Sequence, residues 1–205
     1  MTNSSRKLNV LVGCEFSGVV REAFRKLGHN AWSCDLLPSE DNSEFHIQHD
    51  LKELIYNHEM LGPHFDLMIF HPPCTHLAVS GARWFKDKQQ EQQEALEFVR
   101  FLLDTNCNHI ALENPVSIIS SHIRKPDQYI QPWQFGHGET KKTGLWLKNL
   151  PKLIPTNIVE GREPVVWKAS PGPDRWKLRS RTYQGIADAM AEQWSKYIID
   201  NHRVL

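Results

Sequence analysis

The sequence has no long apolar run and no closely spaced pair of cysteines. Its four cysteines stand at positions 14, 34, 74 and 107, far from the Cys-x-x-Cys spacing of zinc sites and disulfide-rich scaffolds. We therefore expect no structural metal, no disulfide framework and a reducing, cytoplasmic setting. No stretch approaches the roughly 18 apolar residues of a membrane span. The first residues also lack the apolar region of a signal peptide, so no membrane partner is expected.

The chain also has no net charge, because 24 Lys and Arg residues balance 24 Asp and Glu residues. A neutral chain argues against nucleic-acid binding through one broad basic surface. Residues 162–181 depart from this balance: six basic and two acidic side chains give +4, and Trp167 and Trp176 lie among them. Such a segment suits a single-stranded or flipped nucleotide. It equally suits a solvated loop whose tryptophans pack on the core.

Strands and helices alternate in the first half of the chain. Short apolar runs predict strands, and apolar residues at helical spacing predict helices. The strands are 8–12, 30–34, 66–70 and 109–112, and the helices are 17–27, 50–56 and 89–104. The alternation indicates an α/β fold with a mostly parallel sheet and helices on both faces.

The second half is irregular, with frequent prolines and tryptophans between about residues 115 and 181. Short strands are predicted at 145–147 and 157–159, with a weaker one at 165–167. A final helix is predicted at 183–199, where Ile186, Met190, Trp194 and Tyr197 share one face. A length of 205 residues suits one core. We therefore expect a single domain over residues 1–205 whose last helix packs back on the core.

Two predicted strands end in residues that suit one reaction. Strand 66–70 runs directly into His71-Pro72-Pro73-Cys74-Thr75, where two prolines stiffen the loop that carries a thiol. Strand 109–112 ends in Glu113-Asn114-Pro115. Ligands of open α/β sheets bind outside the carboxyl ends of the strands, so Cys74 and Glu113 should face one crevice. A thiol beside a carboxylic acid suits attack by sulfur on a ring that is protonated as it is attacked.

The thiolate of a cysteine is its nucleophilic form, and the surroundings of Cys74 offer ways to favour it. These are the amino terminus of a following turn and the nearby side chains of His71, His76 and Arg83. The alternative interpretation is that Cys74 is a small buried apolar residue. A metal held by His71, Cys74 and His76 would need a further ligand and supporting contacts. The sequence offers none, so no metal is expected.

A glycine loop and two acids form a second candidate site. Residues 13–18, Gly-Cys-Glu-Phe-Ser-Gly, join the first strand to the first helix, where backbone can approach a ligand closely. Asp35 ends the second strand, about 20 residues on, where an acid accepts hydrogen bonds from ribose hydroxyls. Asp50 lies where a third strand would end, within reach of an adenine amino group. Each acid alone is equally explained as a helix cap or a turn residue.

Pro72-Pro73-Cys74 after one strand and Glu113-Asn114-Pro115 after the next resemble the catalytic motifs of the cytosine-C5 DNA methyltransferases. The order of glycine loop, ribose acid, adenine acid, Pro-Pro-Cys and Glu-Asn also agrees with that family. The resemblance is closest to the small methylase-like proteins of phages and prophages. It covers residues 10–114 and returns at 183–187. It implies a Rossmann-like, S-adenosylmethionine-dependent methyltransferase fold, DNA as the partner, and the bacterial host cytoplasm as the location.

The resemblance also implies a role for each site residue. Cys74 would attack C6 of cytosine, Glu113 would assist at N3, and Asn114 would hold the catalytic loop. S-Adenosylmethionine would supply the methyl group that C5 receives, and a base in a duplex would first be flipped out. The implied cofactor-binding residues are Glu15, Phe16, Ser17, Gly18, Asp35, Leu36, Asp50, Leu51 and Pro72.

The chain departs from the family in three places. Its glycine loop differs, and Lys141 and Lys142 stand where the family has an arginine-rich strand. Only about 30 residues separate Leu150 from Arg181, too few for a separate recognition domain of about 50 residues or more. Weakly selective binding of DNA, single-stranded DNA, RNA or a free nucleotide therefore stays open, as does a protein partner that supplies recognition. Two further hypotheses are a transferase that uses a modified cofactor and a non-catalytic protein that binds a cofactor or host factor.

Overall fold

The structure is a computed structural model, and it describes residues 6–57, 64–79, 88–165 and 175–202. Seven strands form its sheet. They are β1 (Asn9–Gly13), β2 (Asn30–Asp35), β3 (His46–Gln48), β4 (Leu67–Phe70), β5 (Ile110–Pro115), β6 (Gln128–Ile130) and β7 (Thr143–Lys148).

Helices connect and cover these strands. The α-helices are α1 (Val19–Lys26), α2 (Leu51–Tyr56), α3 (Gln89–Asp104), α4 (Ile119–His122), α5 (Arg175–Ser180) and α6 (Gln184–His202). A short 3-10 helix, Pro132–Gln134, lies between β6 and β7.

The sheet reverses its strand order between β1 and β4. The order across the sheet is β3-β2-β1-β4-β5-β7-β6. Strands β1 to β5 pair in parallel, and β7 runs antiparallel to both of its neighbours. A reversal of this kind leaves a crevice outside the carboxyl ends of the two central strands. The fold therefore positions the loops after β1 and β4 side by side.

The register of the central strands brings the candidate residues to one level. Gly13 is aligned with Cys34 on one side and with Phe70 on the other, and Phe70 is aligned with Leu112. The next residue in each case is Cys14, Asp35, His71 or Glu113. Four residues from four strands thus meet at the same edge of the sheet.

Two apolar layers hold the sheet between helices. Side chains of a strand alternate between its faces, so Val10 and Val12 pack toward α1 and α6, whereas Leu11 packs toward α2 and α3. Helix α6 is anchored by Trp194, which is fully buried and donates a hydrogen bond to the Pro151 carbonyl at 3.0 Å. The helices therefore cover both faces, as expected for strands linked by right-handed crossovers.

The predicted alternation in the first half is confirmed, and the strand predicted at 145–147 is confirmed as part of β7. The strand predicted at 157–159 is wrong. Asn157 forms only an isolated bridge to Phe135, and Ile158 is 67% exposed. The amides of Asn157 and Val159 bond to carbonyls of the 3-10 helix and not to a strand. The weaker strand at 165–167 extends into residues 166–174, which lie outside the described residues.

Three shorter elements, β6, α4 and α5, were not predicted because they are too short to show periodicity. The final helix is confirmed, although one residue of its predicted apolar face is misplaced. Tyr197 is 36% exposed, and Ile198 is buried in its place. None of the helices in the described ranges combines the length and apolar character needed to cross a bilayer. The extent of the domain, residues 1–205, stays a prediction.

Candidate active site

The loop after β4 holds Cys74 on a stiff support. Pro72 and Pro73 have no amide hydrogens to donate, and the Pro72 carbonyl accepts a 2.9 Å hydrogen bond from Nδ2 of the buried Asn114. The Cys74 carbonyl accepts from the amide of Leu77 at 3.1 Å, so a helical turn begins directly after the thiol. The contact between Asn114 and the loop is the one that the family resemblance implies.

Glu113 lies on β5 and is paired with His71. The Glu113 Oε2 and His71 Nδ1 atoms are 3.0 Å apart, and the two side chains are 12% and 7% exposed. Burial raises the pKa of Glu113, but the hydrogen bond from His71 and the charge of Lys141 outweigh it, so the pKa lies below its usual value. The carboxyl group is therefore ionised at neutral pH and accepts the hydrogen bond, which places a proton on His71 Nδ1.

Cys74 is partly buried and lies close enough to Glu113 to sense its charge. Burial raises the pKa of the Cys74 thiol, and the Glu113 carboxylate raises it further, while Arg179 and Lys141 act in the opposite direction. The thiol form therefore predominates at neutral pH. Any step that neutralises Glu113 favours the Cys74 thiolate, so the nucleophile and the acid are electrostatically linked.

The groups that act on Cys74 differ from those expected. His71 was predicted to assist the thiol, but its Nδ1 is bonded to Glu113. Arg83 lies outside the described residues. The cations that favour the thiolate are Arg179 on α5 and Lys141 before β7, and no local sequence signal marks either of them as a neighbour of Cys74.

The two lysines that replace the family's arginine-rich strand have separate surroundings. Lys141 lowers the pKa of Glu113 and donates to the Arg181 carbonyl at 3.1 Å. Lys142 lies over the Tyr129 ring, 4.4 Å from its centre. Of the pair, Lys141 is the one that supports the acid.

Glu15, in the glycine loop, binds the amino end of α1. Its carboxylate accepts hydrogen bonds from the amides of Val20 at 2.6 Å and Arg21 at 3.1 Å. The side chain is 5% exposed, and burial raises its pKa. These bonds satisfy two of the free amides at the helix start. Glu15 therefore shapes the loop through its side chain, and its backbone is the part left for a cofactor.

The rest of the glycine loop is closely packed. Gly18 has φ of +72°, and a Cβ atom at this position would lie 2.3 Å from Nη2 of Arg21. The conformation and the space both require glycine. Phe16 is buried, and its carbonyl accepts from the Glu40 amide at 3.0 Å. Ser17 is partly exposed.

A cavity of about 270 Å³ lies at the ends of β1, β2 and β3. Four predicted cofactor-binding residues line it, namely Asp35, Leu36, Asp50 and Leu51. Five more lining residues were not predicted: Cys14, His49, Lys52, Pro73 and Phe98. The volume is near the lower end of ligand pockets, about 300 Å³. The two predicted acids thus line one cavity, whereas Cys14 is the one residue of the glycine loop that lines it.

Both acids of this cavity also make local bonds. Asp35 Oδ1 accepts from the Leu37 amide at 2.9 Å, and burial raises the pKa of Asp35. Asp50 is the N-cap of α2, where Oδ1 accepts from the Lys52 amide at 2.7 Å. The turn and cap roles are therefore present, and they use Oδ1 of each carboxylate while the side chains line the cavity.

Some neighbours of the cavity were missed because the sequence gives no sign of them. Phe98 lies on the apolar side of α3, a position typical of core packing, and Cys14 reaches the cavity through a positive φ of 59°. The two prolines also divide their roles: Pro73 lines the cavity, whereas Pro72 is buried and bonded to Asn114. The described residues contain no group of three or more His, Cys, Asp or Glu placed to hold a metal ion.

The basic segment with two tryptophans is described only in part. Trp167 lies outside the described residues, and of Trp176 only the helical backbone is described. Within the described part, the Arg162 guanidinium lies 3.9 Å from the centre of the Trp133 ring. Arg181 pairs with Glu40 at 2.5 Å, which connects the segment between α5 and α6 to the loop after β2.

Comparison of the sequence with protein-family models and with curated proteins gives no match. Solved structures with a similar fold include methyltransferases. One is described as a DNA modification methyltransferase encoded within an E. coli prophage, with a TM-score of 0.54 and 16% identity over 80% of this chain. Another is the methyltransferase EhMeth of Entamoeba histolytica, with a TM-score of 0.51 and 17% identity over 75% of this chain.

The predicted Rossmann-like methyltransferase fold is confirmed by these structures. The chain spans 56% of the length of the first and 58% of the length of the second. At identities of this size the likeness concerns the fold. Evidence for the reaction comes instead from the side chains at the carboxyl ends of the strands.

Proposed function

We propose that this protein transfers a methyl group from S-adenosylmethionine to C5 of cytosine in DNA. The observation that carries the proposal is the meeting of Cys74 and Glu113 at the ends of adjacent strands, beside a cavity lined by two acids. Glu113 is one of the charges that shift the pKa of the Cys74 thiol, and the loop that carries Cys74 is bonded to the residue after Glu113 through the Pro72 carbonyl and Asn114. The fold, shared with methyltransferases, agrees with this chemistry.

The residues of the cavity fit the proposed cofactor. Asp35 stands at the end of β2, where a carboxylate accepts hydrogen bonds from ribose hydroxyls, and Asp50 would accept from the adenine amino group. Leu36 and Leu51 supply apolar walls for the ring. When bound, S-adenosylmethionine supplies an electrophilic methyl group. The other predicted cofactor-binding residues, Glu15, Phe16, Ser17, Gly18 and Pro72, do not line this cavity.

The side chains of the chain itself divide the work on the cytosine ring. Because Glu113 is ionised and Cys74 is a thiol before the base binds, the thiol proton passes to Glu113, the Cys74 sulfur forms a bond to C6, and Glu113 donates that proton to N3, which receives the displaced electron pair. Carbon C5 thereby becomes nucleophilic. After C5 is methylated, the C5 proton leaves to solvent and its electron pair re-forms the C5–C6 double bond as the bond between C6 and sulfur breaks. The N3 proton returns through Glu113 to the departing sulfur, so the Cys74 thiol and the Glu113 carboxylate are restored. Asn114 keeps the loop fixed throughout through the Pro72 carbonyl.

We further propose that the DNA base reaches Cys74 in a flipped or single-stranded form. The pair formed by Cys74 and Glu113 requires access to both N3 and C6, which a stacked and paired base does not offer. The described chain contains little between β7 and α6 that would read a duplex, so a partner protein is the proposed source of target recognition.

The test is transfer of label from S-adenosylmethionine. Duplex DNA, single-stranded DNA, RNA and dCMP are incubated separately with the wild type, with Cys74→Ser and with Cys107→Ser. Cys107 is a buried thiol before β5, at the other edge of the sheet, and serves as the matched control. We expect labelled DNA with the wild type and with Cys107→Ser, and none with Cys74→Ser.

Equal labelling by the wild type and Cys74→Ser contradicts the nucleophile assignment. Labelling confined to RNA or to dCMP contradicts DNA as the substrate and retains the reaction type. Tight cofactor binding without label in any pool contradicts the proposed enzyme and supports a non-catalytic binding protein.

A further inference from the structure

The guanidinium group of Arg21, on α1, is buried although it takes no part in the proposed reaction. Its side chain is 0% exposed, whereas arginine ordinarily keeps its charged end in water. Burial of a charge is costly unless the charge is paired and hydrogen-bonded. The contacts of this group therefore indicate what the buried charge does.

The three guanidinium nitrogens of Arg21 have partners in three places. Nε lies 2.9 Å from a carboxylate oxygen of Glu22 on α1. Nη1 donates to Ser33 Oγ on β2 at 2.8 Å, and Nη2 pairs with the Asp41 carboxylate in the loop after β2. A planar fork fixes several partners relative to one another, which a single ammonium group does not. Arg21 therefore joins α1, β2 and the loop that follows β2.

The ion pair of Arg21 and Asp41 also packs against the glycine loop. A Cβ atom at Gly18 would lie 2.3 Å from Arg21 Nη2 and 3.0 Å from Asp41 Oδ2. Glycine at this position thus leaves the space that the pair occupies. The loops after β1 and β2 both contribute to the proposed cofactor cavity, through Cys14 and Leu36. The pair therefore lies where these two loops meet.

The loop after β2, residues 36–41, has no apolar anchor. None of the side chains in this range, which the structure describes in full, is buried, and Leu36 is 68% exposed. Polar contacts hold the loop instead: the Glu40 amide donates to the glycine loop at 3.0 Å, and Asp41 pairs with Arg21. The pair with Arg21 is charge-assisted and has one fully buried partner, so water and salt screen it less than a surface ion pair.

We propose that Arg21 is a positioning residue for the cofactor, because through Asp41 it fixes the loop that carries the Leu36 wall of the cavity. This inference rests on the proposed function, in which the cavity binds S-adenosylmethionine. Asp35 belongs to the same arrangement, since its Oδ1 accepts from the Leu37 amide at 2.9 Å. A loop that is ordered before the cofactor binds lowers the entropic cost of binding. Arg21 thereby raises cofactor affinity, although it does not itself line the cavity.

Asp41→Asn is the variant that weakens the hold on the loop and leaves the core intact. The Asp41 side chain is 38% exposed, so the substitution removes a charge without placing a new group in the core. Asp41→Glu retains the charge and tests for rescue. Asp127→Asn is the matched control, because Asp127 also pairs with an arginine, has 37% of its side chain exposed and accepts from a backbone amide.

Amide hydrogen exchange without cofactor tests whether the pair holds the loop. The amides of Leu37 and Glu40 are hydrogen-bonded at 2.9 Å and 3.0 Å. We expect both to exchange several-fold faster in Asp41→Asn, because local opening of the loop becomes easier. The amides of α2 and α6 should exchange at the wild-type rate. Asp127→Asn should change neither group of amides.

Calorimetric titration and kinetics then test whether the held loop sets cofactor affinity. In Asp41→Asn we expect the Kd for S-adenosylmethionine to rise about 5- to 50-fold, the cost of immobilising about two more side chains on binding. KM for the cofactor should rise in parallel, and kcat should change by less than about twofold, because the loop acts on binding and not on the reacting atoms. Asp41→Glu should return Kd to within about threefold of the wild type, because it retains the charge that pairs with Arg21. Asp127→Asn should match the wild type.

Unchanged exchange of the Leu37 and Glu40 amides in Asp41→Asn overturns the inference. Faster exchange with an unchanged Kd also overturns it, as does an equal loss of affinity in Asp127→Asn or a failure of Asp41→Glu to restore Kd. A fall in kcat at saturating cofactor as large as the rise in KM indicates a general structural role and overturns it as well. In all these cases an active wild type leaves the proposed function standing. A wild type that binds no S-adenosylmethionine overturns the proposed function together with this inference, so the two failures are distinguishable.

Discussion

Asp35 and Glu113 stand at the same edge of one sheet, yet their environments shift their pKa values in opposite directions. Asp35 lies at the end of β2 on the cavity side, and its pKa is raised. Glu113 lies on β5 on the thiol side, and its pKa is lowered. Burial acts on both carboxyl groups, and more completely on Glu113. The direction is therefore decided by the partners.

Glu113 has a donor in His71 and a cation in Lys141, and together they outweigh burial. Asp35 accepts a bond from the Leu37 amide and senses His46, but these do not outweigh burial. The difference shows that hydrogen-bond donors and cations, rather than burial alone, decide the direction in which the pKa of a buried carboxyl group shifts. Glu113 is held ionised by His71 and Lys141. Asp35 is the acid that we propose for the ribose hydroxyls of the cofactor.

Glu113→Gln should have the largest effect of the changes that separate these two acids. We expect kcat for methyl transfer to fall by about 10²- to 10⁴-fold, the usual contribution of general acid catalysis. Affinity for S-adenosylmethionine, measured by calorimetry, should stay within about threefold because Glu113 does not line the cavity. A variant with wild-type kcat would show that the two acids do not differ in function.

Asp35→Asn should weaken cofactor binding while Glu113→Gln does not. Loss of a buried carboxylate that accepts from ribose hydroxyls costs about 1–3 kcal/mol, which corresponds to roughly a 5- to 150-fold rise in Kd. Calorimetric titration with S-adenosylmethionine measures this change. Asp104→Asn, an exposed acid at the end of α3, is the control. An unchanged Kd for Asp35→Asn would remove Asp35 from the proposed site.

A smaller effect is expected on the reactivity of the thiol. Because the Glu113 carboxylate raises the pKa of Cys74, Glu113→Gln should lower that pKa and increase the thiolate fraction. Alkylation of Cys74 by iodoacetamide at pH 7.5 should therefore become several-fold faster in Glu113→Gln, whereas Asp35→Asn should react at about the wild-type rate. Slower alkylation in Glu113→Gln would contradict the electrostatic link between the acid and the nucleophile.

The smallest effects should appear in the pH dependence of stability, and they should differ in sign. The lowered pKa of Glu113 means that its carboxylate stabilises the fold above about pH 4.3, and that this stability is lost as pH falls through the folded pKa. The raised pKa of Asp35 means that its stability contribution is present below about pH 3.9 and lost as pH rises through the folded pKa.

Urea unfolding at pH 7 should therefore show Glu113→Gln less stable than the wild type and Asp35→Asn equally or more stable. Both differences should shrink toward pH 3. A loss of stability for Asp35→Asn as large as that for Glu113→Gln would mean that the two acids are held alike.

The alternation of apolar runs was enough to predict the α/β order and the helices on both faces. The crevice was predicted at the carboxyl ends of the strands, because the chemically distinctive residues follow directly after the predicted strands. Pro72-Pro73-Cys74 follows β4 and Glu113-Asn114 lies at the end of β5, as predicted, because strand ends are fixed by local sequence. The strand at 157–159 was wrong because a short apolar run gives no information on whether a neighbouring strand is free to pair with it.

The partners of the acids were harder to predict, since they come from distant parts of the chain. Lys141 lies just before β7 and Arg179 lies on α5, and their charges are brought to Cys74 by tertiary packing. His71 lies three residues from Cys74, and proximity in sequence suggested the thiol as its partner. The parallel register of β4 and β5 instead places the residue after Phe70 beside the residue after Leu112.

The central claim is that Cys74 attacks C6 of a cytosine, and a covalent trap tests it most directly. DNA containing 5-fluorocytosine is incubated with the protein and S-adenosylmethionine, and the adduct is located by mass spectrometry of peptides. Fluorine at C5 does not leave as a proton does, so the bond between C6 and sulfur persists. We predict an adduct on the peptide that contains Cys74, and none with Cys74→Ser. Tight cofactor binding without an adduct, or an adduct on another cysteine, would contradict the account.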